Sequence, residues 1–446
     1  MLSALIPGLG QAYNHRQRLA LGLFIPFAIV ALLATLAVWF IPGPRLLAHA
    51  IVPSTLGALL ALNLGLLAWR LIALVQAFFD ARFELRPGGF GLAGLAIVVA
   101  VTIVPHLGAQ YVGGLAQSTF ANVFDGAVLG EQAAARGPVP GADGRLNVLL
   151  VGIDAGAGRD HALTDSLIVV SLDPVGKTVS MASLPRDLVN VPLGDGRTFA
   201  PKLNSLLSYA ASHKDEFPAG GMRTLEKAVG TLLGIPIHYY ATVDLGGFIK
   251  MVDAVGGVDV NVKVALDDPK YRGYGVTGTG WQVDLGQHHF DGKDALAYAR
   301  IRRSVGQTDF TRQARQQEIL LALRSKVVKG DALLGLPGLL DAIGDTVSTD
   351  LPPDRLPDLA VLAGEIPAKQ IFRVVVRFPL IHPAKPGQNK YGAVQIPDTA
   401  AILAMSAGLF SVPGTPPMSW DPKASGSPHP GTSASPGPSA SPSAGR

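Results

Sequence analysis

Leu146-Asn-Val-Leu-Leu-Val-Gly-Ile-Asp154 is the stretch on which the fold turns. Its apolar, β-branched run predicts a strand over Leu146–Ile153, with an acidic residue where the strand hands over to a loop. Ser166–Leu172, Thr178–Leu184 and Ile371–Arg377 have the same texture. Helical spacing covers roughly Leu203–Ser212, Gly221–Leu233, Gly246–Val255, Lys293–Arg303 and Asp309–Val328. Strands and helices interleave instead of segregating. That predicts an α/β domain of α/β/α type over 146–412, with a central, mostly mixed sheet.

Ligands of open α/β sheets bind at strand ends, so Asp154 and, just before the second strand, Asp165 draw notice. They flank a loop rich in glycine (Gly152, Gly156, Gly158). Two hard carboxylates there suit a divalent cation such as Mg²⁺; from these residues alone the plainer reading is a loop of solvated aspartates and a helix cap. A second cluster is Arg300-Ile-Arg302-Arg303 followed by Asp309-Phe-Thr-Arg312-Gln-Ala-Arg315-Gln316-Gln317. Arg312 and Arg315, three apart on a helix, are expected to share a face. Guanidinium forks match phosphate oxygens, although a basic, solvated helix face carries the same pattern. Ser183-Leu-Pro-Arg186-Asp187 and Lys202-Leu-Asn204 add a third element, and on their own read as an ordinary ion pair. His288-His289 is too short a cluster to argue for a metal. No phosphate-binding Gly-x-x-x-x-Gly-Lys loop and no Gly-x-Ser-x-Gly elbow occurs, so nucleotide hydrolysis and serine-esterase chemistry lack support.

Towards the N-terminus the texture changes. Leu19–Phe40, Ala50–Trp69 and Phe90–Ala109 are uncharged runs of 22, 20 and 20 residues, the last interrupted only by His106. Each is long enough to cross a hydrocarbon core of about 30 Å as a helix. Residues 1–115 are therefore expected to form a transmembrane region with spans at about 19–40, 50–69 and 90–109. Arg16 and Arg18 before the first span, and Arg70, Arg82 and Arg86 after the second, stand against Arg45 alone between them. That asymmetry places the N-terminus in the cytoplasm and delivers the main domain outside a multi-pass cell-membrane protein. Residues 116–145 read as a linker and 413–446, rich in Pro, Ser and Gly, as a disordered tail. With 48% hydrophobic residues, a net charge of only +4 and no cysteine, the 446-residue chain gives no sign of a nucleic-acid partner and excludes disulfides and thiol catalysis.

Taken in order, several segments resemble the LytR–CpsA–Psr family of cell-wall glycopolymer phosphotransferases. They are Asn147–Asp154, Thr164-Asp165-Ser166, Ser183–Asp187, Lys202–Asn204, Val252-Asp-Ala-Val-Gly-Gly-Val-Asp-Val260, Asp291–Arg302 and Asp309–Gln316. The resemblance implies transfer of a glycopolymer with its linking phosphate from a polyprenyl-pyrophosphate carrier in the membrane lipid to a peptidoglycan hydroxyl. It implies that Asp154 and Asp165 bind Mg²⁺ and that Arg186, Arg300, Arg302 and Arg312 serve catalysis. Arg315, Gln316, Lys202, Asn204 and Arg303 are expected to bind substrate. Members commonly carry Arg two residues before the second aspartate; here that position is Leu163, with Arg159 four residues earlier. The departure leaves open a protein that holds the lipid-linked intermediate within a wall-assembly complex and turns it over slowly.

Overall fold

The computed structural model describes residues 2–41, 53–80, 88–123, 144–154, 163–273, 280–329, 344, 346–352, 355–385, 390–420 and 429–430. The chain divides into two compact units, one of residues 1–127 with 330–364, the other of 128–329 with 365–446.

In the first unit, three helices are long and apolar enough to cross a membrane: Gln17–Phe40, Thr55–Phe78 and Gly89–Thr119. Two short helices, α1 (Leu2–Leu5) and α2 (Leu9–Tyr13), precede α3 (Gln17–Phe40), α4 (Pro53–Phe78) and α5 (Gly89–Val123). The second and third run past the sequence expectations of 69 and 109. Arg70, read as a loop charge, therefore lies inside α4, where hydrogen bonding inside the unit makes it tolerable. It donates to the carbonyl of Ala4 and, at 3.3 Å, meets His106 Nε2, whose Nδ1 lies 2.7 Å from Asn63 Oδ1. Gln11 donates to Ala73 O at 2.6 Å, Asn14 to Ala77 O at 2.9 Å, and Arg16 pairs with a buried Asp80 at 2.7 Å. This seam along one face of α4 fastens the N-terminal segment to it. Arg45, Arg82 and Arg86 lie outside the described residues, as do 124–143 of the expected linker and 421–428 and 431–446 of the expected tail.

The second unit is the mixed α/β domain. Five strands of its central sheet are β1 (Leu146–Asp154), β2 (Leu163–Asp173), β3 (Thr178–Ser183), β4 (Tyr239–Asp244) and, later in the chain, β7 (Ile371–Val375). Their order is β4-β1-β2-β3-β7. β1 runs antiparallel to β2 and parallel to β4; β3 is antiparallel to β2 and parallel to β7. Strand faces alternate, so Leu149, Val151, Leu167 and Val169 point to one side, where all four are at most 1% exposed. There they meet α6 (Leu206–Ser212) and α7 (Gly220–Leu233) through Leu206, Leu225 and Leu232. Full burial of a side chain of this size contributes about 1.5–3 kcal/mol. The other face carries α8 (Leu245–Ala254), α9 (Gly292–Arg300) and α10 (Asp309–Lys329), with a second core of Val252, Val258, Phe290, Tyr298 and Ile319.

Two strands absent from the sequence expectations, β5 (Val258–Val262) and β6 (Gly286–Phe290), pair antiparallel beside these helices. The turn into β5 needs glycine: Gly257 has φ +79°, and a Cβ there would stand 2.7 Å from Phe290 O. The helix expected to run through Arg303 ends at Arg300, because Ile301 is extended (ψ 133°). Asp291 caps its start, accepting from Asp294 N at 2.8 Å.

Candidate functional site

β1 and β2 differ in count near their shared end. Gly152 faces Ser166 and Ile153 faces Thr164, so Asp165 is an extra residue, a β-bulge with no partner in the ladder. The bulge frees the Asp165 carbonyl, which accepts from Arg312 Nη1 at 3.1 Å. It also re-aims the Asp165 side chain towards the end of β1. Arg300 Nη2 lies 3.2 Å from Asp154 Oδ2 and 3.9 Å from Asp165 Oδ2, so the two carboxylates face one point. Gly152 makes room for the close approach: a Cβ there would sit 2.9 Å from Ser166 Cβ.

Around this pair stand the other expected residues. Arg186, in the loop after β3, is ion-paired to Asp165 and lies 4.0 Å from Asp187. Burial opposes its charge, but Asp165, Asp187 and Asp309 together hold its pKa above the ordinary value. Lys202 Nζ reaches Asp187 Oδ1 at 2.7 Å. Asn204 joins through its backbone: its N–H donates to Arg186 O at 3.0 Å and its carbonyl accepts from Thr164 Oγ1 at 3.4 Å. From α10, Arg312 donates through Nη2 to Asp309 Oδ1 at 2.8 Å, and Gln313 to Asp309 Oδ2 at 2.9 Å. Burial disfavours the Asp309 charge, yet Arg312, Gln313 and Arg186 outweigh it and keep the carboxyl below its ordinary range. Gln316 accepts from Ser166 Oγ at 2.7 Å and donates to Ala299 O at 3.3 Å, which ties α10 to β2 and α9.

Arg302 is the cation with the loosest pairing. Its side chain is 47% exposed and its carboxylate contact, to Asp309, is 3.9 Å long. Burial of part of the side chain, and then repulsion from Arg186 and Arg312, pull its pKa down. A guanidinium held among others in this way favours an incoming anion.

Two expected residues are elsewhere. Arg315 does not share the Arg312 face: it is 6% exposed and donates to the carbonyls of Tyr298 and Ile301. It closes the C-terminal end of α9, where carbonyls lack helical partners. Burial pushes its pKa down to about 10. Arg303 is exposed, with no hydrogen bond or ion pair to the cluster among the described residues. Gly156, Gly158 and Arg159 lie outside the described residues, while Leu163 stands across the ladder from Asp154. No group of three metal-ligating side chains occurs among the described residues. Sequence reading missed Ser166 and Gln313 as parts of the cluster. Ser166 had a signal in the Thr-Asp-Ser triplet; Gln313 had none.

Residues 124–379 match the LytR_cpsA_psr family. TagU of Bacillus mycoides (strain KBAB4), named a polyisoprenyl-teichoic acid–peptidoglycan teichoic acid transferase, is 32% identical over 214 residues, 48% of this chain and 63% of its own length. TagV of Bacillus subtilis (strain 168), with the same activity in its name, is 34% identical over 212 residues, 46% of this chain and 50% of its own length. The matches thus span less than two thirds of these relatives. The crystal structure of B. subtilis TagV aligns with 60% of this chain and 98% of its own, at 28% identity and a TM-score of 0.45. The family match takes in more than half of the chain and every member of the charged cluster, from Asp154 to Gln316, and the chain belongs to the LytR–CpsA–Psr family.

Proposed function

We propose that this protein transfers a glycopolymer, with its linking phosphate, from a polyprenyl-pyrophosphate carrier to a peptidoglycan hydroxyl outside the membrane. The observation that carries the reading is the gathering of Arg186, Arg300, Arg302 and Arg312 at the ends of β1 and β2, with Arg302 half-exposed and only loosely paired to Asp309. Family membership and the transferase names of TagU and TagV support it.

Phosphoryl transfer asks a protein mainly to position the reactants and to stabilise charge on the phosphate oxygens. Arg300 and Arg302 would grip the pyrophosphate from the end of α9, and Arg186 and Arg312 from the opposite side. The wall hydroxyl forms the new P–O bond to the sugar-linked phosphorus, the bond from that phosphorus to the bridging oxygen breaks, and the carrier leaves as its monophosphate, which takes up the hydroxyl proton. Asp187 and Asp309 hold Lys202 and Arg312 in place, which makes them orienting anions for the cationic ring. Asp154 and Asp165 fit a divalent cation: two hard oxygen donors share one point, and Mg²⁺ commonly takes one or two carboxylates and fills its shell with water and phosphate. Bound there, Mg²⁺ would neutralise charge on the pyrophosphate oxygens.

A transfer assay on the full chain in detergent tests this, with a short polyprenyl-pyrophosphate oligosaccharide as donor and peptidoglycan fragments as acceptor. Release of polyprenyl monophosphate coupled to acceptor labelling is expected. Arg300→Ala should lower the rate about 100-fold or more, the cost of removing one donor to the developing charge. Turnover by Arg300→Ala at the unaltered rate would sink the reading. Chelation of divalent cations should abolish transfer, and added Mg²⁺ should restore it. Because Leu163 sits across from Asp154, Leu163→Arg run alongside separates the two roles: turnover appearing only in this variant marks the native chain as a binding protein.

A further inference from the structure

On the other side of α10 from Arg312, a cavity of about 280 Å³ opens between that helix and β7. Phe310, Ala314 and Glu318 line the helical wall, Arg373 and Arg377 the strand wall, and Trp420 closes it. Three features set it apart from an accidental crevice. First, Arg373 and Arg377 are both exposed, and their guanidinium groups have no hydrogen bond or ion pair among the described residues, whereas Arg186, Arg300 and Arg312 are each paired to a carboxylate. Second, the Trp420 indole Nε1–H is shielded from solvent and has no acceptor among the described residues. A buried donor without a partner is rare enough to call for one. Third, Glu318 receives Tyr298 OH on Oε2 at 2.8 Å, which fixes the carboxylate and leaves Oε1 as an acceptor.

We infer that this cavity is a second subsite, for an anionic sugar. The aromatic faces of Phe310 and Trp420 suit the C–H face of a sugar ring. The indole N–H and Glu318 offer one donor and one acceptor to its hydroxyls, and the two guanidinia take a phosphate or carboxylate. No apolar ligand makes use of these groups. Phe310 and Thr311 interleave with Asp309 and Arg312 on one helical turn, so the cavity is about one helix diameter, on the order of 10 Å, from the cationic ring. That separation is spanned by one or two sugar units. The inference rests on the transferase reading only for which glycan is brought there, the polymer of the donor or the strand of the acceptor.

The test is binding to the full chain in detergent, followed by tryptophan emission and calorimetry. Two probes lack the lipid pyrophosphate: a phosphate-bearing oligosaccharide and a soluble peptidoglycan fragment. At least one should bind and change the emission. Arg373→Ala/Arg377→Ala should weaken that binding tenfold or more, and Trp420→Phe should remove the emission response, although Trp39, Trp69 and Trp281 remain. The probe that loses affinity identifies the source, donor polymer or acceptor strand. If neither probe binds the unaltered chain, or the double variant binds as well as it does, the subsite is refuted. Arg300→Ala assayed for turnover keeps the two ideas apart, since its failure to slow transfer counts against the transferase reading and leaves the binding result standing.

Discussion

Arg312 and Arg315 show how little a helical spacing says about where two guanidiniums end up. Arg312 turns to the bulge at Asp165, whereas Arg315 is drawn under α9 by two carbonyls that the end of that helix leaves without partners. Which face an arginine takes is decided by the neighbour that packs there, and a single sequence does not name that neighbour. A direct consequence is that Arg315→Met should act on stability. Losing both donors to buried carbonyls is expected to cost about 2–5 kcal/mol, read as a fall in the midpoint of thermal unfolding. Turnover per folded molecule should stay within about threefold of the unaltered value. A loss of turnover with unchanged stability would restore Arg315 to the substrate side.

Among the elements, β1 is the one whose placement fixes the rest, and a side-chain clasp at its start holds it to β4. Asn147 donates through Nδ2 to Pro236 O at 2.7 Å, and its backbone N–H reaches His238 Nδ1 at 2.9 Å. Burial lowers the His238 pKa below 6.5, so the ring is held neutral in the folded state. The unfolded chain then binds the extra proton more readily. Stability from this group is in full above pH 6.5 and is lost as the pH falls from there through the depressed folded value. Replacing the ring by His238→Asn keeps an acceptor and removes the titration. The decline of the unfolding midpoint below pH 6.5 should become shallower in this variant; an identical decline would place the proton elsewhere. At the far end of the same strand, Gly152→Ala pushes a methyl group against Ser166, the residue that holds Gln316. A destabilisation of about 1–3 kcal/mol and slower transfer are expected together.

For the molecule as a whole, the sequence carried the three apolar spans, the interleaved domain and the charged cluster, because each is written in local pattern: uninterrupted apolar runs, β-branched strands, arginines near strand and helix ends. It did not carry what depends on distant partners. The seam by which Gln11, Asn14 and Arg16 grip α4 joins residues more than sixty positions apart, and no local pattern announces it. β5 and β6 were passed over because their alternation is short and Gly257 and the histidines blur it. The orientation inferred from the arginines is open to direct test, since the chain has no cysteine of its own. A membrane-impermeant maleimide added to intact cells should label Lys214→Cys and spare Gly88→Cys. The reverse pattern would turn the protein over and remove the wall from its reach.

The surplus residue of β2, Asp165, also sets a rule of parity for this chain. Side chains along a strand alternate in direction, so one surplus position at Asp165 changes which way every residue before it points relative to those after. Length changes within 155–162 leave that count untouched. A single-residue insertion or deletion between Asp165 and Leu172 is a frameshift in space: it would swap the apolar and polar sides of the strand and turn the carboxylate away from Asp154. Among natural variants of this sequence, insertions and deletions should therefore crowd on one side of Asp165 and stop at it.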